Sequence, residues 1–327
     1  MMIGRTVALL TTFALGLCCV PLASGTQPAV KIPRIGYLSA GSAATSTVEV
    51  FRQRLRELGY RESQGVVIAE RWAEGQVERL PALAAELVRL PVNVIFAGGP
   101  APLRAARQAT ATIPIVAIDL ETDPVAMGFA ASLARPGGNV TGVFLDLPEL
   151  SGKQLELLRE AVPGASRIAV LWDPATAPFP LHALETAAQA LGVTLHTLEV
   201  RSVDALTGAF DAMTRGHAEA LIVLSSPLLY HHHARIADLA AQHRLPMMAM
   251  FREFAQVGAL ITYGPNLEEM ARHAATYIDR ILKGTSPADL LIERPMRFEL
   301  VVNLKTAVAL GLTVPPVILF QAHEVIR

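Results

Sequence analysis

Cysteine is nearly absent from this 327-residue chain: Cys18 and Cys19 stand side by side near the start, and no other follows. If the first 25 residues are removed, the mature chain has none. That excludes disulfides, thiolate zinc sites and a cysteine nucleophile. Aromatic residues are few at 6%, so the cores must be built mainly from Ala, Leu, Val and Ile. Charge of one sign is lacking too. The formal net charge is −1, without the basic excess that marks a nucleic-acid binder. After the N-terminal segment, no apolar run is long enough to cross a membrane. Catalytic signatures are missing as well: there is no Walker loop, G-x-S-x-G elbow, H-E-x-x-H or G-x-G-x-x-G after a strand.

The first residues carry the features of an export signal. Arg5 gives a short positive region, Val7 to Val20 an apolar one, and Ala23–Ser24–Gly25 the small residues a signal peptidase requires. The apolar run is short for a bilayer span, which favours a cleaved signal (residues 1–25) over an uncleaved anchor. Lipidation is disfavoured, because Leu17 precedes Cys18 and Cys18 precedes Cys19, where a small residue is required. The mature protein is expected to be exported, soluble and periplasmic.

What the chain does contain is one pattern twice. Ile35–Gly36–Tyr37–Leu38–Ser39 reads as a strand ending in a small polar loop, followed by a helix and by Leu58–Gly59–Tyr60 before the next strand. About 133 residues later come Ile168–Ala169–Val170–Leu171–Trp172–Asp173, a helix, and Leu191–Gly192–Val193. Third strands (Val94–Phe96, Leu221–Val223) and fourth strands (Ile113–Val116, Leu245–Met248) correspond more loosely. Alternating strands and helices predict parallel sheets with helices on both faces. The fold class is therefore α/β, with two doubly wound lobes. Lobe 1 is expected over 33–142 plus about 263–290, and lobe 2 over 143–262 plus about 291–327. A helix is expected near Val125–Leu133, and a strand and short helix, near Arg297–Val302 and Leu304–Leu310, to finish the chain.

In such sheets ligands sit outside the carboxyl ends of the strands. Two facing lobes make a clamp, and the loops at those ends hold the candidate residues. Ser39 follows the first strand with a hydroxyl. Gly98–Gly99–Pro100 follows the third and opens a helix, where backbone N–H groups favour an anion; an ordinary βα turn is the plain alternative. Asp119 follows the fourth strand, placed to meet a cationic group, while Asp123 before Pro124 is most simply a helix cap. Trp72 is either a cleft wall or an edge-packed residue. In the second half, Asp173 either bonds a ligand amine or caps the turn before Pro174. Ser225 and Ser226 suit hydrogen bonding or a plain turn, Phe251 can stack on a ring or pack at the hinge, and Tyr263 lies at the return crossing. His231–His232–His233 reads as a solvated helix start, with incidental metal binding the lesser alternative, since adjacent helical residues point about 100° apart and three in a row do not converge easily on one metal.

Several segments, in order, resemble the substrate-binding components of ABC transporters, in the family that includes bacterial tryptophan- and tyrosine-binding proteins. They are Arg71-Trp72-Ala73-Glu74-Gly75, Ser132 to Gly142 (S-L-A-R-P-G-G-N-V-T-G), Phe251-Arg252-Glu253-Phe254, Tyr263-Gly264-Pro265-Asn266, Ile281-Leu282-Lys283-Gly284, and Phe298 to Ala307 (F-E-L-V-V-N-L-K-T-A). The resemblance implies the type I periplasmic-binding fold, with two lobes joined by three crossings. It also implies capture of a small solute, often an amino acid or related compound, by a monomer that delivers it to a membrane permease. No cofactor, metal or nucleic acid is implied. Members commonly carry Gly-Thr-Pro where Gly98-Gly99-Pro100 stands, and some carry an acid at the place of Ser226. A sensor that signals to a membrane receptor would look the same, and its partners would distinguish it. An exported enzyme on the same scaffold would need a nucleophile and base, which the motifs do not supply.

Overall fold

A computed structural model describes residues 32–41, 46–62, 65–145, 149–295 and 297–327. The export-segment reading, 1–25, lies outside them. Among the described residues, no helix is long and apolar enough to cross a membrane.

The first half alternates strand and helix. It runs β1 (Arg34–Ser39), α1 (Ser46–Glu57), β2 (Val67–Trp72), α2 (Leu80–Arg89), β3 (Val94–Gly98), α3 (Pro100–Ala109), β4 (Ile115–Asp119) and β5 (Val140–Phe144). These strands form one parallel sheet in the order β2-β1-β3-β4-β5. The second half repeats the plan with α4 (Glu149–Ala161), β6 (Arg167–Trp172), α5 (Phe179–Leu191), β7 (Thr194–Glu199), α6 (Ala205–Arg215), β8 (Ala220–Val223), α7 (Pro227–His231), α8 (His233–Gln242), β9 (Met247–Ala249), α9 (Arg252–Val257) and β10 (Ile261–Pro265). Its order, β7-β6-β8-β9-β10, is the first sheet's order over again. Because helices cover both faces, the central strands are near-continuous apolar runs, as in Ile115 to Ile118 of β4 and Ala220–Val223.

After β10 the chain returns to the first lobe. The helix α10 (Leu267–Leu282) packs against α1, burying Met270, Ala271, Ala274, Ala275, Ile278 and Ile281 along one stripe. The Asn266 side chain caps it by accepting the Glu269 N–H at 2.9 Å. Leu290 and Ile292 remain in the first lobe's cores. The chain then crosses again to β11 (Phe298–Asn303), α11 (Leu304–Leu310), α12 (Pro316–Gln321) and β12 (Glu324–Ile326). β11 is antiparallel to β10, and β12 pairs parallel to β11, so the second sheet has seven strands and is mixed.

Three expectations change. The crossings come slightly later than 142 and 263, because β5 pairs with β4 through Phe144 and β10 stays in the second sheet through Pro265. The expected helix over 125–133 is a series of turns. There the Asp123 side chain accepts the Val125 and Ala126 N–H groups, Gly128 takes φ +71°, and the Ala131 N–H turns back to the Pro136 carbonyl. The short α12 and β12 follow the helix expected to end the chain; β12 has three residues, too few for a periodic signal.

In both lobes the fifth strand passes very close to the fourth. A Cβ at Gly142 would overlap the Ala117 carbonyl oxygen, and one at Gly264 the Met250 carbonyl oxygen. Gly142 also has φ +136°, which side-chain-bearing residues rarely adopt. Gly142→Ala is expected to cost about 2–4 kcal/mol of folding stability through combined overpacking and backbone strain. Denaturant unfolding checks this; a wild-type midpoint would contradict the close packing of β5 on β4.

Candidate functional site

A cavity of about 440 Å³ lies where the carboxyl ends of the two sheets face each other. That is within the usual range for small-molecule sites, roughly 300–1,000 Å³. Its walls come from the ends of β1, β3 and β4 in one lobe, from the segments following β8 and β9 in the other, and from Leu267 at the start of α10.

Seven of the residues singled out from sequence meet there: Ser39, Gly98, Gly99, Pro100, Ser225, Ser226 and Phe251. Most of their backbone and cap interactions are internal. The Gly99 N–H donates to the Ile118 carbonyl at 2.8 Å, and both Pro100 and Pro102 lack an N–H at the start of α3. The anion cradle expected at Gly98–Gly99–Pro100 is therefore largely spent. Ser226 Oγ caps α7 by accepting the Leu229 N–H at 2.9 Å, and Ser39 Oγ accepts the Gly41 N–H at 3.2 Å.

The other four do not reach the cavity. Asp119 is fully buried, and its carboxylate accepts the N–H groups of Glu121 (3.0 Å) and Thr122 (3.2 Å) and the Thr122 hydroxyl. It holds its own loop together. Asp173 accepts the Ala175 N–H at 2.9 Å and closes the turn at Pro174. Trp72 sits on the sheet edge behind Tyr37, with ring centroids 4.9 Å apart, and its indole N–H points to Glu70 at 3.3 Å. Tyr263 stacks on Phe298 at 5.9 Å, and its carbonyl accepts from Gln154 at 2.8 Å. Asp173 thus takes its capping alternative, and Asp119, expected to meet a cationic group, turns its carboxylate back into its own loop.

Of the aromatic walls the sequence pointed to Phe251 but not to Tyr37, Phe96 or Tyr230, and it missed two glutamates. Tyr37 and Phe96 are cross-strand partners in register, 4.7 Å apart, and line the cavity with Ser39 and Gly98. A strand's period of two would have found them: Tyr37 shares a face with Ser39, and Phe96 with Gly98. From the other lobe come Tyr230 and Phe251, edge to face at 5.3 Å. His231 and His233 also line the cavity, so this stretch is more than a solvated helix start.

Glu121 and Glu253 are the carboxyl groups of the wall, one from each lobe. Each has a buried oxygen, Oε2, without a hydrogen-bond partner. Burial holds the Glu121 carboxyl well above the usual carboxylate range, and the nearby Asp119 and Asp173 raise it further; Arg104 and the Ala177 N–H pull the other way. Burial also raises Glu253, opposed by its own N–H, Arg252 and His233, with Glu268 adding to the rise. The Tyr230 hydroxyl, flanked by Thr47 and Glu253, is raised by burial as well. Among the described residues, no group of three or more His, Cys, Asp or Glu side chains converges as for a metal ion. An apolar cavity with aromatic walls and a few convergent acceptors is built for binding a small molecule.

Two α/β lobes whose parallel strands point at a shared cavity define a periplasmic-binding-type protein, and the architecture matches type I structures of that class. The chain belongs to the family of ABC transporter substrate binding proteins, whose pattern it matches over residues 37–326. These are binding proteins and not enzymes. It is 25% identical over 273 residues to a tyrosine-binding protein from Clostridioides difficile (strain R20291), covering 80% of this chain and 75% of that one. Among solved structures, a conserved domain protein from Vibrio cholerae O1 biovar El Tor superposes with a TM-score of 0.81 at 23% identity, covering 90% of this chain and 100% of that one. An ABC domain from Streptococcus pneumonia in complex with L-Trp gives 0.79 at 22% identity, covering 90% and 99%.

The raised Glu121 carboxyl has a consequence for stability. A folded pKa above the unfolded value means the native state binds more protons, so stability falls as pH rises from the ordinary carboxyl range through the raised value. In the ligand-free protein, Glu121→Gln removes that loss. Its melting temperature should exceed the wild type's at pH 8 and match it at pH 4. A lower melting temperature at pH 8 would mean the carboxylate is favourably paired instead.

Proposed function

We propose that the chain is the exported solute-binding component of an ABC importer, closing its two lobes on a small molecule, an amino acid or related compound, and presenting it to a membrane permease. The observation that carries this reading is the cavity of about 440 Å³ lined from the carboxyl ends of both sheets. Family membership supports the permease as partner, and the small residues at Ala23–Ser24–Gly25 support export and cleavage near Gly25. The lobes would move as two bodies, one built on β1–β5 with α10 and the other on β6–β12. Ser39, the Gly98–Gly99–Pro100 turn, Ser225, Ser226 and Phe251 would be among the residues touching the solute, with Tyr37, Phe96 and Tyr230 forming apolar walls.

A ligand bound only by the folded form stabilises it by mass action, by about 2.7 kcal/mol at a hundredfold excess over Kd. A thermal-shift screen of the ligand-stripped protein against amino acids and related small solutes should therefore raise the melting temperature with a narrow group of compounds. A screen without any such rise would count against solute binding. N-terminal sequencing of the protein taken from its host should begin near Thr26; an intact Met1 would refute cleavage.

A further inference from the structure

The buried unpaired polar atoms of the cavity wall are one-sided: both are carboxyl oxygens. Glu121 and Glu253 face it from opposite lobes, and the buried Oε2 of each lacks a partner. Glu121 is only 7% exposed. Buried polar atoms are nearly always hydrogen-bonded, and leaving one unpaired costs about 1–3 kcal/mol. Two such oxygens on one cavity ask for a ligand with donors, and a cationic donor would oppose the burial that raises the Glu121 carboxyl by favouring its ionised form.

The receptors a carboxylate would need are scarce. No lysine or arginine lines the cavity among the described residues. The N–H of Gly99 is taken, and two of the first three residues of α3 are prolines. His233 has its Nδ1 2.8 Å from the Tyr230 carbonyl and lies beside the Glu253 carboxyl. Hydroxyl groups and the His231 ring remain, but a ligand carboxylate would also enter a space shared with two carboxyl groups. The rings of Tyr37, Phe96, Tyr230 and Phe251 line the same cavity. Aromatic faces attract cations and stack on flat rings.

We propose that the cavity takes an aromatic or heteroaromatic solute bearing nitrogen donors, as an amine, an amidine or an amino-substituted ring, held between Glu121 and Glu253, and that it discriminates against a free carboxylate. This narrows the reading of the cavity as the solute site and rests on it. Such a ligand donates to both lobes, so it ties them together where the empty protein has two unpaired acceptors. Its ring occupies the aromatic walls.

The test uses ligand-stripped protein and calorimetric titration with compounds that share a ring. Tryptamine carries the amine alone, L-tryptophan the amine and carboxylate, and indole-3-propionate the carboxylate alone; phenethylamine, L-phenylalanine and 3-phenylpropionate form a second set, with benzamidine added. The amine-only or amidine probes should bind at least tenfold more tightly than the matching amino acids, and the acids should not bind. Glu121→Gln and Glu253→Gln should each weaken the best probe at least tenfold, with melting temperatures of the empty protein unchanged or raised. Tightest binding by an amino acid or acid, no binding by any amine-only or amidine probe, or unchanged affinity in both variants would overturn the proposal. The wider reading as a solute-binding protein survives those results so long as some compound of the thermal-shift screen binds, and fails only if none does.

Discussion

Parallel strands joined by helices release the chain into loops at one edge of the sheet, and that constraint places everything else. In each lobe the order 2-1-3-4-5 opens a crevice beside the first strand, at β1 and β3 in one lobe and β6 and β8 in the other. Three connections turn those two edges toward each other. Residues far apart in sequence, such as Ser39, Glu121, Tyr230 and Glu253, thereby share one cavity. The glycines at 142 and 264 serve the same arrangement. Each lets a fifth strand lie close against the fourth just before the chain leaves its lobe.

The cavity departs from what would make the folded chain most stable. A glutamate with 7% exposure and an unpaired oxygen, near two further acids, is disfavoured in an empty protein. Asp119 and Asp173 show the contrast. Both are buried, yet each accepts hydrogen bonds from its own loop and shapes the backbone. Their carboxylates build the frame; the carboxyls of Glu121 and Glu253 each leave one oxygen, Oε2, unpaired beside the space it encloses. Polar groups whose partners are missing from the folded chain mark where a partner from outside belongs.

Much of the fold was legible in the sequence because its signals are local and repeated. Ile35–Ser39 and Ile168–Asp173 are apolar runs ending in small or polar loops, each followed by a helix and a Leu-Gly-aromatic or Leu-Gly-Val step. Strand order, the mixed pairing of β11 and the edge strand β12 depend on contacts distant in sequence, which periodicity does not encode. The site was half legible. Position after a strand found Ser39, Gly98 and Phe251, since loop placement follows from strand ends. It chose Asp119 over Glu121 two residues later, because the strand continues through Asp119 and the loop folds back onto its carboxylate. Whether an acid in a turn caps it or faces a ligand is decided by a few ångströms of loop geometry. Export over residues 1–25 rests on sequence alone.

The most direct test of the account is a crystal structure of the protein with the tightest-binding compound from the thermal-shift screen. The account predicts that the ligand lies between the two lobes, its ring against Tyr37, Phe96, Tyr230 or Phe251, with nitrogen donors at hydrogen-bond distance from Glu121 and Glu253. A ligand seated on one lobe alone, or a ligand carboxylate held at Gly98–Gly99 with both glutamates unengaged, would contradict it.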